Sequence, residues 1–122
     1  MDVSRMGGKV ITLFLLVVFM LFKSYGVSYV PGTEDIPLME SISFVPESQS
    51  VFDTEKGRVV ISRAFSSLKN SKIESFYRQV LSNLGWRELS KNKYRRESQI
   101  LSLRIDSRNE KTFITFELIE SP

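Results

Sequence analysis

Between residues 71 and 86, SKIESFYRQVLSNLGW, apolar side chains recur at helical spacing. Ile73, Phe76, Tyr77, Val80, Leu81 and Leu84 fall on one stripe, which predicts an amphipathic helix. Ser71 and Glu74 read as a capping box, the hydroxyl and the carboxylate each taking an otherwise unpaired backbone N–H. Gly85 supplies a left-handed residue to stop the helix, and Trp86 beyond it is placed to fold back onto Leu81. Glu74 and Arg78 are spaced for an i,i+4 ion pair on the polar side.

On both sides of this helix the period falls to two. Residues 42–45 offer a short strand ahead of Pro46, a residue that keeps such a strand out of the centre of a sheet. Val51 and Phe52 lead through the polar turn DTEKG into RVVISRAF at 58–65, a predicted hairpin. In that second strand Val59, Ile61, Arg63 and Phe65 share one face while Val60, Ser62 and Ala64 share the other, and the pattern leaves open which is buried. After the helix, 87–89 and 94–97 flank the turn SKNK. Leu101, Leu103 and Ile105 then alternate against Ser102 and Arg104, and Ile114, Phe116 and Leu118 alternate against Phe113, Thr115 and Glu117, with DSRNEK as the turn between them.

The order predicts an α+β domain over residues 42–122: one amphipathic helix packed on an antiparallel sheet of about four to six strands. An N-terminal hydrophobic segment precedes it. Residues 10–22, VITLFLLVVFMLF, are apolar throughout and follow Arg5 and Lys9, the layout of an export signal. Such a run is shorter than the roughly 20 residues that span a bilayer. Ser24 and Gly26 mark a cleavage site after Gly26, with Gly26 and Ser28 as a second option. The alternative is an uncleaved anchor in which Lys23 reaches the headgroups while Tyr25, Val27, Tyr29 and Val30 lengthen the span, with the aromatics near the interface. Residues 1–26 are therefore expected to be a signal peptide or membrane anchor, and the domain to lie outside the cytoplasm, periplasmic or membrane-anchored. Residues 27–41, rich in Pro, Gly and acids, are expected to be a linker or extended lead-in, with Ile36, Pro37 and Leu38 able to tuck against the domain edge.

Charge changes this picture little. The chain holds 17 basic and 14 acidic residues; without Arg5, Lys9, Lys23 and Asp2 the rest holds 14 and 13, so global basicity names no partner. Cysteine and histidine are both absent, which excludes disulfides, thiol catalysis, cysteine metal sites and the usual neutral-pH base.

Asp35-Ile-Pro-Leu38, Val51-Phe-Asp-Thr54 with Gly57-Arg58, Phe76-Tyr77 and Leu84-Gly-Trp86 resemble, in order and spacing, a group of short exported bacterial proteins of unknown function. The likeness covers residues 35–119. Those proteins often continue the Ile-Pro-Leu phrase with a Pro-Gly turn, where this chain has Met39, Glu40 and Ser41. The resemblance implies a single exported domain and carries no catalytic residues.

One charge cluster merits a functional reading. Arg87, Lys91, Lys93, Arg95 and Arg96 crowd around Tyr94 with only Glu88 opposing, a pattern suited to anionic headgroups or an acidic polymer. The bland reading is a solvated hairpin whose charges deter edge-to-edge pairing. Glu34, Asp35 and Glu40 are acids that lack the spacing of a calcium loop. No acid and base pair can be placed together, so the expectation is a non-catalytic interaction module of the bacterial envelope. It calls for no cofactor or metal and no nucleic acid; its partners are the membrane, through an uncleaved N-terminal segment, and an envelope protein or anionic surface. A small lipid- or peptide-binding domain is the alternative, and a hydrolase built on carboxylates, lysine or serine comes last.

Overall fold

A computed structural model describes residues 28–33 and 35–122. The expected signal peptide or anchor and Glu34 lie outside the described residues. Among those described, no helix is long and apolar enough to cross a membrane. The elements are β1 (Ile42–Phe44), β2 (Ser50–Thr54), β3 (Gly57–Ser66), α1 (Asn70–Asn83), β4 (Arg87–Ser90), β5 (Lys93–Arg96), β6 (Gln99–Arg108) and β7 (Lys111–Glu120). All strands join one antiparallel sheet of order β1-β3-β7-β6-β5-β4, with β2 also beside β3. The domain is α+β as expected, with seven strands rather than four to six.

The count rises because β1 and β2 divide one edge of β3 between them. β1 registers against residues 64–66 and β2 against 57–61. In the gap Ser48 replaces a strand neighbour: its hydroxyl accepts the Arg63 N–H and donates to the Arg63 carbonyl, both at 3.1 Å. Val45 N–H reaches the same carbonyl at 3.0 Å. Arg63 thus keeps both backbone groups satisfied opposite a break in the edge.

Register decides the face that alternation left open. Val60, Ser62 and Ala64 stand in line with Leu118, Phe116 and Ile114 of β7, which stand in line with Leu101, Leu103 and Ile105 of β6. This face meets the helix. Ile73, Tyr77 and Leu81 of α1 are buried on it, Phe76 and Val80 pack at its margin, and Leu84 is 38% exposed. Tyr77 lies edge-on to Phe116 with ring centroids 5.4 Å apart, so the interface is filled by interlocking aromatic and aliphatic side chains.

The helix stop forms as its sequence predicts. Gly85 has φ +89, Trp86 N–H donates to the Leu81 carbonyl at 2.9 Å and Gly85 N–H to that of Ser82 at 3.2 Å, which makes a Schellman cap. The start differs. The helix begins at Asn70, its N-cap is Lys69, and no side chain caps it, so the Ser71–Glu74 box does not form. Glu74 instead takes Asn92 Nδ2 at 3.4 Å and Lys91 Nζ at 3.9 Å, and Arg78 pairs with Glu88 at 3.5 Å, not with Glu74. Gly57 is required by a close approach: at φ +124, a Cβ there would collide with the Glu120 carbonyl.

The stretch read as a linker or lead-in packs onto the domain. Val30 and Ile36 are fully buried in the core, joined by the Val30 N–H to Ile36 carbonyl bond at 2.8 Å, so apolar burial fixes residues that proline and glycine content alone would mark as linker. Tyr77 ties this layer to the helix, its hydroxyl donating to the Pro37 carbonyl at 2.9 Å and accepting Met39 N–H at 3.3 Å. Burial pushes the Tyr77 hydroxyl pKa well up, the Met39 bond opposing it; burial likewise raises that of Tyr94, helped by Glu88.

Two consequences are measurable. Tyr77→Phe leaves the Met39 N–H and Pro37 carbonyl unpaired, and chemical denaturation should show a loss of about 1–3 kcal/mol. Above about pH 10, tyrosines of the unfolded chain ionise first, so the folded state binds more protons and stability falls as pH rises. That fall should be shallower in Tyr77→Phe.

Candidate functional site

The basic cluster of the β4–β5 hairpin does not act as one surface. Tyr94 is 2% exposed and belongs to the core. Arg96 lies on the same side of the strand and is held there: its guanidinium makes two bonds to the Asp35 carboxylate, at 2.7 and 3.1 Å, and others to the Leu84 carbonyl and Gln99 Oε1. It also stacks over the Trp86 ring, 4.4 Å from the centroid. Trp86 Nε1 is buried with no hydrogen-bond partner among the described residues, where packing and this cation–π contact hold the indole. Arg96 therefore fastens the lead-in to the sheet. Lys91, at the hairpin turn, leans on Glu74.

Arg87, Lys93 and Arg95 remain, and they point the other way. Arg87 stands opposite Arg95, and β4 is the edge strand of the sheet, so like charges along it oppose edge pairing. These three continue onto the open face of the sheet, which no helix among the described residues covers. Reading across the strands, Phe52, Val59, Ile119, Ile100, Arg95 and Arg87 form one row. Ile61, Glu117, Ser102 and Lys93 form the next. Arg63, Thr115 and Arg104 follow, then Phe65, Phe113 and Asp106, and at the far end Lys111 beside Arg108.

Basic groups dominate this face, with Glu117 and Asp106 as its acids. None of its guanidinium or ammonium groups belongs to an ion pair among the described residues, where Arg78–Glu88, Lys91–Glu74 and Arg96–Asp35 are the pairs that form. Aromatic carbon lies between the charges. Phe113 is 41% exposed, Phe52 45%, and the Lys111 ammonium sits 5.5 Å from the Phe65 ring centroid. A shallow groove of about 470 Å³ lies over Phe52, Val59 and Ile119, and two more overlap at the centre of the face. One of about 710 Å³ spans Arg63, Arg104, Arg108, Lys111 and Phe113. The other, about 490 Å³, spans Lys91, Lys93, Ser102 and Glu117, and both include Arg63, Arg104 and Thr115.

Arg63, Arg104, Arg108 and Lys111 are functional candidates that a search for runs of charge passes over, because Arg63 comes from β3, far from the rest in sequence, and the others are spaced along β6 and the start of β7. The alternation held the signal: Arg63 shares a face with Val59 and Ile61, and Arg104 lies opposite Leu101 and Leu103. Of the acids considered for a cation, Asp35 is taken by Arg96. No cluster of metal-ligating side chains occurs among the described residues.

No family model matches the chain, and neither does any curated protein or solved structure. The division of the cluster into a structural and a surface half is testable by stability. Arg96→Gln removes a bidentate pair and a cation–π contact, and thermal or urea unfolding should show a loss of about 1–2 kcal/mol. Lys93→Gln and Arg95→Gln should stay within about 0.5 kcal/mol of wild type.

Proposed function

We propose that this chain is a non-catalytic interaction module of the bacterial envelope, exported or held by its N-terminal segment, that meets an anionic membrane surface through the open face of its sheet. The supporting observation is the excess of unpaired basic side chains on that face, interleaved with exposed phenylalanine. Each Lys or Arg near an anionic bilayer contributes about 1 kcal/mol, a contribution that fades within a Debye length. A shared face that sets several such groups side by side lets them act together. Phe52 and Phe113, towards opposite ends of it, suit the interfacial region, where aromatic rings partition favourably.

The N-terminal sequence adds a second line of support. Its apolar run ends at Phe22 and the packed lead-in begins by Ser28. An uncleaved anchor would hold the domain within about 20 Å of the bilayer, at about 3.3–3.6 Å per extended residue. Tethering at that distance turns a weak surface affinity into steady contact. The filled interface between helix and sheet favours this surface mode over an enclosed lipid or peptide.

A fragment starting at Ser28 should sediment with phosphatidylglycerol vesicles and not with phosphatidylcholine vesicles, and rising salt should release it. Lys93→Glu with Arg95→Glu should weaken binding by on the order of tenfold or more. Lys69→Glu with Lys72→Glu, on the helix side, should leave it unchanged. Equal binding by the wild type and the open-face double variant would refute the proposal.

A further inference from the structure

We infer that Arg63, Thr115 and Arg104 form a discrete phosphate-binding site at the centre of the open face. This rests on the reading of that face as an anionic contact surface and assigns it a specific ligand group. The three residues are direct cross-strand neighbours on β3, β7 and β6. With two inter-strand spacings between them, the two arginine backbones stand about 10 Å apart. Two arginine side chains can lean across that gap and place both guanidinium forks over the threonine hydroxyl.

Those three groups are a complete donor set for one phosphate. Each guanidinium offers a planar fork for the non-bridging phosphate oxygens, and the hydroxyl donates one further hydrogen bond to them. They are also the residues at which the two central grooves overlap, so a ligand entering along either reaches the same point. The arginines are exposed and in no ion pair among the described residues, so binding breaks no existing salt bridge. The Ser48 and Val45 bonds fix the backbone of Arg63 opposite the break between β1 and β2. Glu117 and Asp106, one row to either side, bound the site.

The ligand is a phosphate monoester or diester, either free in solution or carried on a phospholipid headgroup. The test uses the full chain in neutral detergent micelles, labelled at threonine methyl groups and titrated by NMR with inorganic phosphate and with glycerophosphoglycerol, the soluble headgroup of phosphatidylglycerol. Thr115 should shift in a saturable way. Thr112, on the opposite side of the same strand with its hydroxyl bonded to the Leu68 carbonyl, should not. A tighter response to the diester identifies the lipid headgroup as the source, and a tighter response to inorganic phosphate identifies free phosphate; either supports the site.

Arg63→Lys and Arg104→Lys keep the charge and remove the fork. Each should weaken the Thr115 response about tenfold, the effect of losing one charge-assisted hydrogen bond. Wild-type titration by both lysine variants would overturn the site and leave general charge attraction in place. An unmoved Thr115 in a chain that still binds phosphatidylglycerol vesicles would overturn it too. Failure of both phosphate and vesicle binding would remove the site together with the reading on which it rests.

Discussion

One helix covers one face of the sheet, and the rest of the structure follows from that inequality. Ile73, Tyr77 and Leu81 meet the row formed by Leu101, Leu103, Ile114 and Phe116. Each side chain so buried contributes about 1.5–3 kcal/mol, where an exposed ion pair contributes about 0–1. Packing on that face therefore determines the fold, and the lead-in closes it by adding Val30 and Ile36 beside the helix. Nothing in the described residues performs the same service on the other side. An antiparallel sheet tolerates that, since its second face can be left to solvent. This one is left with arginine, lysine and phenylalanine in rows.

The same division sorts the basic residues of the β4–β5 hairpin. Side chains alternate across a strand, so neighbours in sequence go to opposite faces. Tyr94 and Arg96 turn inward, where one becomes core and the other clamps Asp35 and Trp86. Lys93 and Arg95 turn outward and join charges contributed by β3, β6 and β7. A cluster that looks uniform in sequence is thus half scaffold and half surface.

How much of this the sequence shows depends on whether the controlling contact is local. The apolar stripe of the helix, its glycine stop and the paired alternation at 99–106 and 112–119 are all short-range patterns, and each forms, except that Leu84 falls beyond the helix end and is left exposed. The capping box fails because the helix starts earlier, with Lys69 at the N-cap, so Ser71 already lies inside the first turn, and Glu74 meets Asn92 and Lys91 of the neighbouring hairpin instead. The packed lead-in was hard to see because Val30 and Ile36 stand among prolines and glycine with no period to reveal them. The open-face neighbours Arg63 and Arg104 escape a scan for charge runs, since they lie 41 positions apart in sequence yet flank one threonine in the sheet. Only strand order and register bring them together.

Whether the open face of the sheet is the side that meets an anionic bilayer is the most direct test of the proposed contact. Paramagnetic lipids doped into phosphatidylglycerol bicelles broaden the NMR signals of residues that lie close to them. The account predicts broadening at Phe113, Thr115 and Lys93, with Lys72 and Ser75 on the outer side of the helix left sharp. Broadening centred on the helix, or spread evenly around the domain, would contradict it.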